Sequence, residues 1–193
     1  MECFAYFPSL IYREERPDWV REVSDKAAPY IDEMRQGCGF PVLQTNSMIN
    51  DPGLSFLRDA FFHASVGALK EQGYDLDRYE FFVNGMWLQE IYESGGHNFH
   101  VHANTQMCGL YFLESSDGGG YPIFKDPRSS KSCVDLFAVV QPNVTNATPE
   151  IHFDNIAPGS FFVFNAWLPH AISTNTSKAP TRFLHFTLTH REK

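Results

Sequence analysis

Residues 95–114 read "GGHNFHVHANTQMCGLYFLE" and place three of the chain's eight histidines, His97, His100 and His102, within six positions. His100 and His102 are two apart, which on a strand puts both side chains on one face. Phe99 and Val101 alternate with them and predict an apolar face turned to a core. The histidine face then lines either solvent or a cavity. On a wet face the two are merely polar residues; aimed into a cavity, they can share a metal ion. His97 stands three before His100, so strand parity puts it on the opposite face, at the rim.

The surroundings of this stretch are β-rich. After Tyr74 the chain breaks into short aromatic and β-branched runs separated by Gly, Pro, Asn and Asp: "RYEFFVNGMWLQEIY" (78–92), "NFHVHA" (98–103), "QMCGLYFLE" (106–114), "YPIFKD" (121–126), "VDLFAVV" (134–140), "EIHFDNI" (150–156), "GSFFVFNA" (159–166), "HAISTN" (170–175) and "TRFLHFTLTH" (181–190). Nine such runs predict a sandwich or a jelly roll. An aromatic content of 15% suits it, because flat rings pack well on a pleated, half-buried surface.

Upstream, the period changes. In "RPDWVREVSDKAAPYIDEMRQG" (16–37), Trp19, Val20, Val23, Ala27, Ile31 and Met34 recur at helical spacing up to Gly37. "DPGLSFLRDAFFHASVGALKEQG" (51–73) repeats the pattern, with Asp51 as N-cap, Pro52 in the first turn and Gly73 as the stop. The outline is α+β within a single domain spanning 1–193. A helical flank covers 1–75 and a β core 76–193, with the two N-terminal helices packed on one sheet.

Composition excludes several functions. A net charge of -8 argues against sequence-independent binding of nucleic acid, which depends on neutralising phosphates. No apolar run reaches the roughly 18 residues of a membrane helix, and the first fifteen residues lack the basic lead of a signal peptide. The four cysteines (Cys3, Cys38, Cys108 and Cys133) are scattered and form no CxxC pair, which predicts reduced thiols and a cytoplasmic protein.

A third metal ligand is offered by "FFVFNAWLPHAISTN": His170 opens a strand after a Trp-Leu-Pro turn. Twelve residues later, Arg182 lies in an otherwise apolar run with Phe183, Leu184 and Phe186. A guanidinium pointing inward from a strand is costly unless paired. Its partner is either a structural carboxylate or a carboxylate on a bound small molecule, gripped bidentate. His185 and His190 read as structural or exposed residues.

Two histidines on one strand, a third on a late strand and an arginine one strand further on resemble the layout of 2-oxoglutarate/Fe(II) oxygenases, whose jelly roll holds iron at one mouth. The resemblance narrows to a bacterial and phage family of 2-oxoglutarate/Fe(II) oxygenases. Its ordered blocks are matched here by Trp87, His100, His102, Asn104, Gly109, Tyr111, Leu113, Asp126 to Arg128, Gly159, Trp167, Leu168, His170, Asn175 and Arg182, over about residues 80–190. Gln89, Phe112 and Leu184 stand where that family has Asn, Tyr and Ser.

The resemblance implies a double-stranded β-helix (jelly-roll) core with Fe(II) on His100, His102 and His170. It also implies 2-oxoglutarate as co-substrate, contacted by Arg182, Tyr111 and Gln89, with O2 at the remaining open position. Asn104, Trp167 and His97 fall at the substrate rim. The activity implied is hydroxylation of a C–H bond in a peptide or small molecule, releasing succinate and CO2. A histidine at 102 replaces the carboxylate usual in the wider superfamily, which raises the charge at the iron by one unit. Two other readings compete. A cupin-type metalloenzyme also uses H-x-H and a late His, but the glutamate expected soon after H-x-H is missing from "ANTQM". A jelly-roll binding module with structural zinc would ordinarily want four closed ligands.

Overall fold

The computed structural model describes residue 2 and residues 8–37, 39–130 and 148–193. Among the described residues ten strands and two helices follow one another: β1 (Ile11–Glu15), α1 (Val20–Arg35), β2 (Val42–Gln44), α2 (Ser55–Glu71), β3 (Tyr79–Ile91), β4 (His97–His100), β5 (Met107–Glu114), β6 (Pro122–Lys125), β7 (Glu150–His152), β8 (Ser160–Asn165), β9 (His170–Ile172) and β10 (Thr181–Glu192). The helices begin where the sequence signals them. Each is led in by a short 3-10 turn opened by a proline, Pro17 or Pro52, and the Asp51 carboxylate accepts the Gly53 amide. The strand expected at 134–140 lies outside the described residues.

All strands pair antiparallel in two sheets. One has six strands in the order β1-β8-β5-β10-β3-β2; the other has four, in the order β4-β9-β6-β7. The helical flank is therefore not purely helical: β1 and β2, both upstream of residue 75, close the two edges of the large sheet. Short polar-flanked strands of three to five residues carry too little periodicity to stand out in a sequence, and pairing with long neighbours supplies the stability they lack alone.

Alternation along the long strands divides the core into two layers. Met86, Leu88, Met107, Tyr111, Leu184, Phe186 and Leu188 face α1 and α2 with Val23, Ile31, Leu57 and Phe61. Gly109 makes that approach possible, since a Cβ there would lie 2.7 Å from the Phe61 ring. Ile91, Cys108, Leu110, Phe112, Phe162, Phe164 and Phe183 face the other way and pack with Phe124 and Ile172 of the small sheet. Fully burying each large side chain contributes about 1.5–3 kcal/mol. This gives a helix layer, a large sheet and a small sheet, with a jelly-roll core between the sheets.

Candidate metal centre

One end of the space between the sheets is left unfilled, as a cavity of about 210 Å³. Its walls come from both sheets: Gln44, Trp87, Gln89, Leu110, Phe183 and His185 from the large one, His97, His100, His170 and Ile172 from the small one, and His102 from the loop after β4.

Three imidazoles converge there. The rings of His100 and His170 are 4.4 Å apart, those of His100 and His102 5.0 Å, and those of His102 and His170 5.3 Å. One nitrogen from each lies within 4.8 Å of the others, close enough for one ion at metal–nitrogen lengths of about 2.1 Å after small side-chain rotations. The backbone orients two of them. His100 Nδ1 bonds the Asn98 carbonyl at 2.8 Å and His170 Nδ1 the Leu168 carbonyl at 2.9 Å. Such a bond places the ring proton on Nδ1 and leaves Nε2 as a lone-pair donor. Nε2 of His102 and of His170 is buried with no hydrogen-bond partner. His102 lies past the end of β4, and its amide donates to Ala166 O at 3.1 Å, which docks the loop onto the large sheet's end.

Burial favours the neutral form of His97, His102 and His170. Desolvation takes the pKa of His170 down to about 3, against a smaller upward pull from its bond to Leu168. Desolvation, then the charge of His100, lowers His97 and His102 as well. Neutral imidazole is the form that ligates a metal.

Several residues stand elsewhere than the sequence suggests. β4 does not bury Phe99 and Val101, which are 40% and 52% exposed; the Lys125 ammonium lies 5.4 Å over the Phe99 ring. His97 is inside the cavity. Against β9 the register runs from His97↔Ile172 to His100↔His170, so Asn98 and Phe99 together oppose Ala171 alone. This bulge turns His97 to the side of His100, its ring 6.1 Å away.

Arg182 is the larger correction. It shares its parity with Leu184 and Phe186 and so faces the helices, away from the histidines. Its guanidinium is bound to Glu90 Oε1 at 2.6 Å and 2.8 Å and to Glu114. Arg35 of α1 holds the other side of Glu90 in a bidentate bond. The Glu90 side chain is completely buried. Burial pushes its pKa upward, but the bonds from Arg35, Arg182 and Tyr92 outweigh this and hold it below the usual carboxylate range. The partner of Arg182 is thus a structural carboxylate. Tyr111 likewise faces the helices, where its hydroxyl donates to Arg16 O at 2.8 Å.

Of the three residues expected at the oxoacid, only Gln89 reaches the cavity, and its Nε2 donates to Gln44 Oε1 at 2.8 Å. Asn104 is an exposed turn residue with φ 57°, its carbonyl bound by Thr189. Trp167, 42% exposed, lines a second cleft with Tyr74, Tyr79 and Asn165. His185, expected to be structural or exposed, is inside the cavity. It is stacked on Trp87 at 4.4 Å, with its ring 4.9 Å from His102. Alternation with Phe183 along β10 was the signal for it, once Arg182 is assigned to the outer face.

Residues 85–186 match the model of the family described as "Putative 2OG-Fe(II) oxygenase". The chain belongs to that family. Its fold recurs in solved structures. A Pseudomonas putida prolyl-4-hydroxylase matches with a TM-score of 0.65 and 11% identity, over 95% of this chain and 94% of that one. The non-heme alpha-ketoglutarate-dependent epimerase SnoN of nogalamycin biosynthesis matches at 0.66 and 12%, over 94% and 78%. The viral collagen prolyl hydroxylase of Paramecium Bursaria Chlorella virus-1, solved with 2OG, matches at 0.59 and 12%, over 95% and 96%. At these identities the likeness is one of fold. No curated relative matches the sequence. Members of this family use Fe(II), 2-oxoglutarate and O2.

The donor set fits iron: three imidazoles on one side of a cavity leave the remaining positions open. For the oxoacid, the cavity offers hydrogen-bond donors. Among the described residues lining it there is no Arg or Lys; its polar groups are Gln44, Gln89 and the histidines.

Proposed function

We propose that this oxygenase holds Fe(II) on His100, His102 and His170 and oxidises a C–H bond of a peptide or small molecule, with hydroxylation as the outcome. The observation that carries the reading is the convergence of three imidazoles, two with Nδ1 committed to backbone carbonyls and two with buried, unpartnered Nε2 atoms. Bound together, iron, 2-oxoglutarate and O2 supply the oxidising power, with succinate and CO2 as co-products.

The chain's own contribution is placement. β4 and β9 fix two ligands on paired strands, and the loop docked on Ala166 brings the third. Gln89 spends one amide proton on Gln44, so its second proton and the Gln44 amide remain to bind the oxoacid's far carboxylate. Trp87, Leu110, Ile172 and Phe183 keep water from the reacting centre. Phe99 and Val101, exposed beside the ligands, give an apolar approach suited to a peptide or small molecule. Among the described residues no helix is long and apolar enough to cross a membrane; a reduced Cys108 is in keeping with a cytoplasmic setting.

Anaerobic titration with Fe(II) and 2-oxoglutarate tests this. A visible charge-transfer band requiring both is expected, with its loss in His170→Ala. Iron binding undiminished in His170→Ala, or a band that needs no oxoacid, overturns the reading. The latter result would favour the cupin-type alternative.

A further inference from the structure

A second set of donors lies beneath the iron ligands. His185 is 5% exposed, and neither of its ring nitrogens has a hydrogen-bond partner. A buried polar atom left unpaired forfeits its hydration with no replacement, so two on one ring mark a group built for a ligand. The stack on Trp87 fixes the plane of that ring. Cys108, on the adjoining β5, opposes Thr187 of β10 and faces the same layer, fully buried and free of any disulfide. One donor atom each from His102, Cys108 and His185 lies within 4.8 Å of the others. With no described charge beside it, burial pushes the Cys108 thiol's pKa well up, so the metal-free site holds a neutral S–H.

We propose that His102, Cys108 and His185 form a second, deeper metal position that takes a borderline-soft divalent ion such as Zn(II), in competition with iron at the triad that shares His102. The donor chemistry separates the two positions. Two imidazoles and a thiolate are ligands characteristic of zinc, whereas an all-imidazole set has no such preference for a soft ion. Binding exchanges the thiol proton for the metal: the S–H bond breaks, a metal–sulfur bond forms, and one proton leaves to solvent with no change of oxidation state. Because His102 serves both sets, zinc in the deep position withdraws one ligand from the iron. The enzyme is thereby shut down by a competing metal that draws on two histidines of the same cavity, His102 and His185. The deep set stands on its own donors; its effect on iron rests on the function proposed above.

The test uses a full-length chain carrying Cys3→Ser, Cys38→Ser and Cys133→Ser, in which Cys108 is the sole thiol. Titrated metal-free with Co(II), it is expected to develop a near-ultraviolet thiolate-to-cobalt band that saturates at one thiolate-bound cobalt per chain. A further Cys108→Ser change removes the band and leaves Fe(II) binding intact. In that variant, and in His185→Gln, at least ten times more Zn(II) is needed to displace half of the iron. Cobalt binding with no thiolate band in the Cys108-only chain overturns the proposal, and needs no folded Cys108 variant to do so. Zinc potency within twofold of the parent in both variants overturns it as well. The two ideas fail separately: an iron–oxoacid band without the cobalt–thiolate band sinks only the deep site, and the reverse sinks only the oxygenase assignment of the triad.

Discussion

Replacing Arg182 with alanine separates a structural arginine from a co-substrate anchor. Glu90 is wholly buried and accepts bonds from Arg182, Arg35 and Tyr92. Removing one partner from a buried ion pair typically costs about 3–5 kcal/mol, because a charge is left without compensation. The bidentate Arg35 bond survives here, so about 2–3 kcal/mol is the expected loss. At this chain length that lowers the melting temperature by about 5–10 °C. The partnership also predicts non-additivity: Glu90→Gln and Arg182→Met combined should cost less than their sum by about 1–2 kcal/mol. The oxoacid's dissociation constant, read from the anaerobic iron charge-transfer band, should stay within twofold of the parent. Thermal unfolding followed by circular dichroism supplies the other half of the assay. An unchanged melting temperature with a tenfold weaker oxoacid would refute the placement of Arg182 on the helix face.

Three other outcomes follow from the structure. Tyr111→Phe removes the hydrogen bond to the Arg16 carbonyl and should cost about 1 kcal/mol in urea unfolding, with no change in oxoacid affinity. Gly109→Ala drives a methyl into the Phe61 ring and the Phe162 carbonyl, at 2.7 Å and 3.1 Å, and should cost about 1–3 kcal/mol with α2 displaced; a stable variant with unaltered near-ultraviolet dichroism would contradict that contact. Acid should destabilise the metal-free protein. His170 has its pKa lowered to about 3 in the folded state, so below the ordinary value of about 6.5 the unfolded chain takes up the proton first. Stability contributed by this residue is present above that ordinary value and falls by about 1.4 kcal/mol per pH unit towards pH 3, and flat stability across this range would count against a buried His170.

Both helices and eight of the nine expected strands were legible in the sequence, where period and punctuation agree. So was the meeting of His100, His102 and His170, although His102 lies past the end of the strand that parity assumed. What misled was the choice of inner face on β10: Leu184 and Phe186 make the face of Arg182 as apolar as that of Phe183, so apolar content does not tell which face meets the cavity. An inward arginine also looks like a ligand anchor until its carboxylates are found, and Glu90 and Glu114 lie 92 and 68 residues away in sequence. His185 was hidden by the same inversion. Had Phe183 and His185 been assigned to the inner face, Arg182 would have fallen to the helices at once. The bulge that turns His97 inward is equally invisible, because it belongs to a pairing and not to a segment.

β1 has a consequence for handling the protein. Its five residues pair along β8 from Ile11↔Phe164 to Glu15↔Ser160, and Arg13 and Glu15 bond Ser160 from above. β8 reads "SFFVFN" and is buried at every position. Trimming the chain to begin at α1 would leave that aromatic, uncharged strand as a bare edge with open backbone donors and acceptors. Such an edge recruits copies of itself. The N-terminal strand thus acts as a built-in guard against self-association, and tags or truncations placed there trade solubility for convenience.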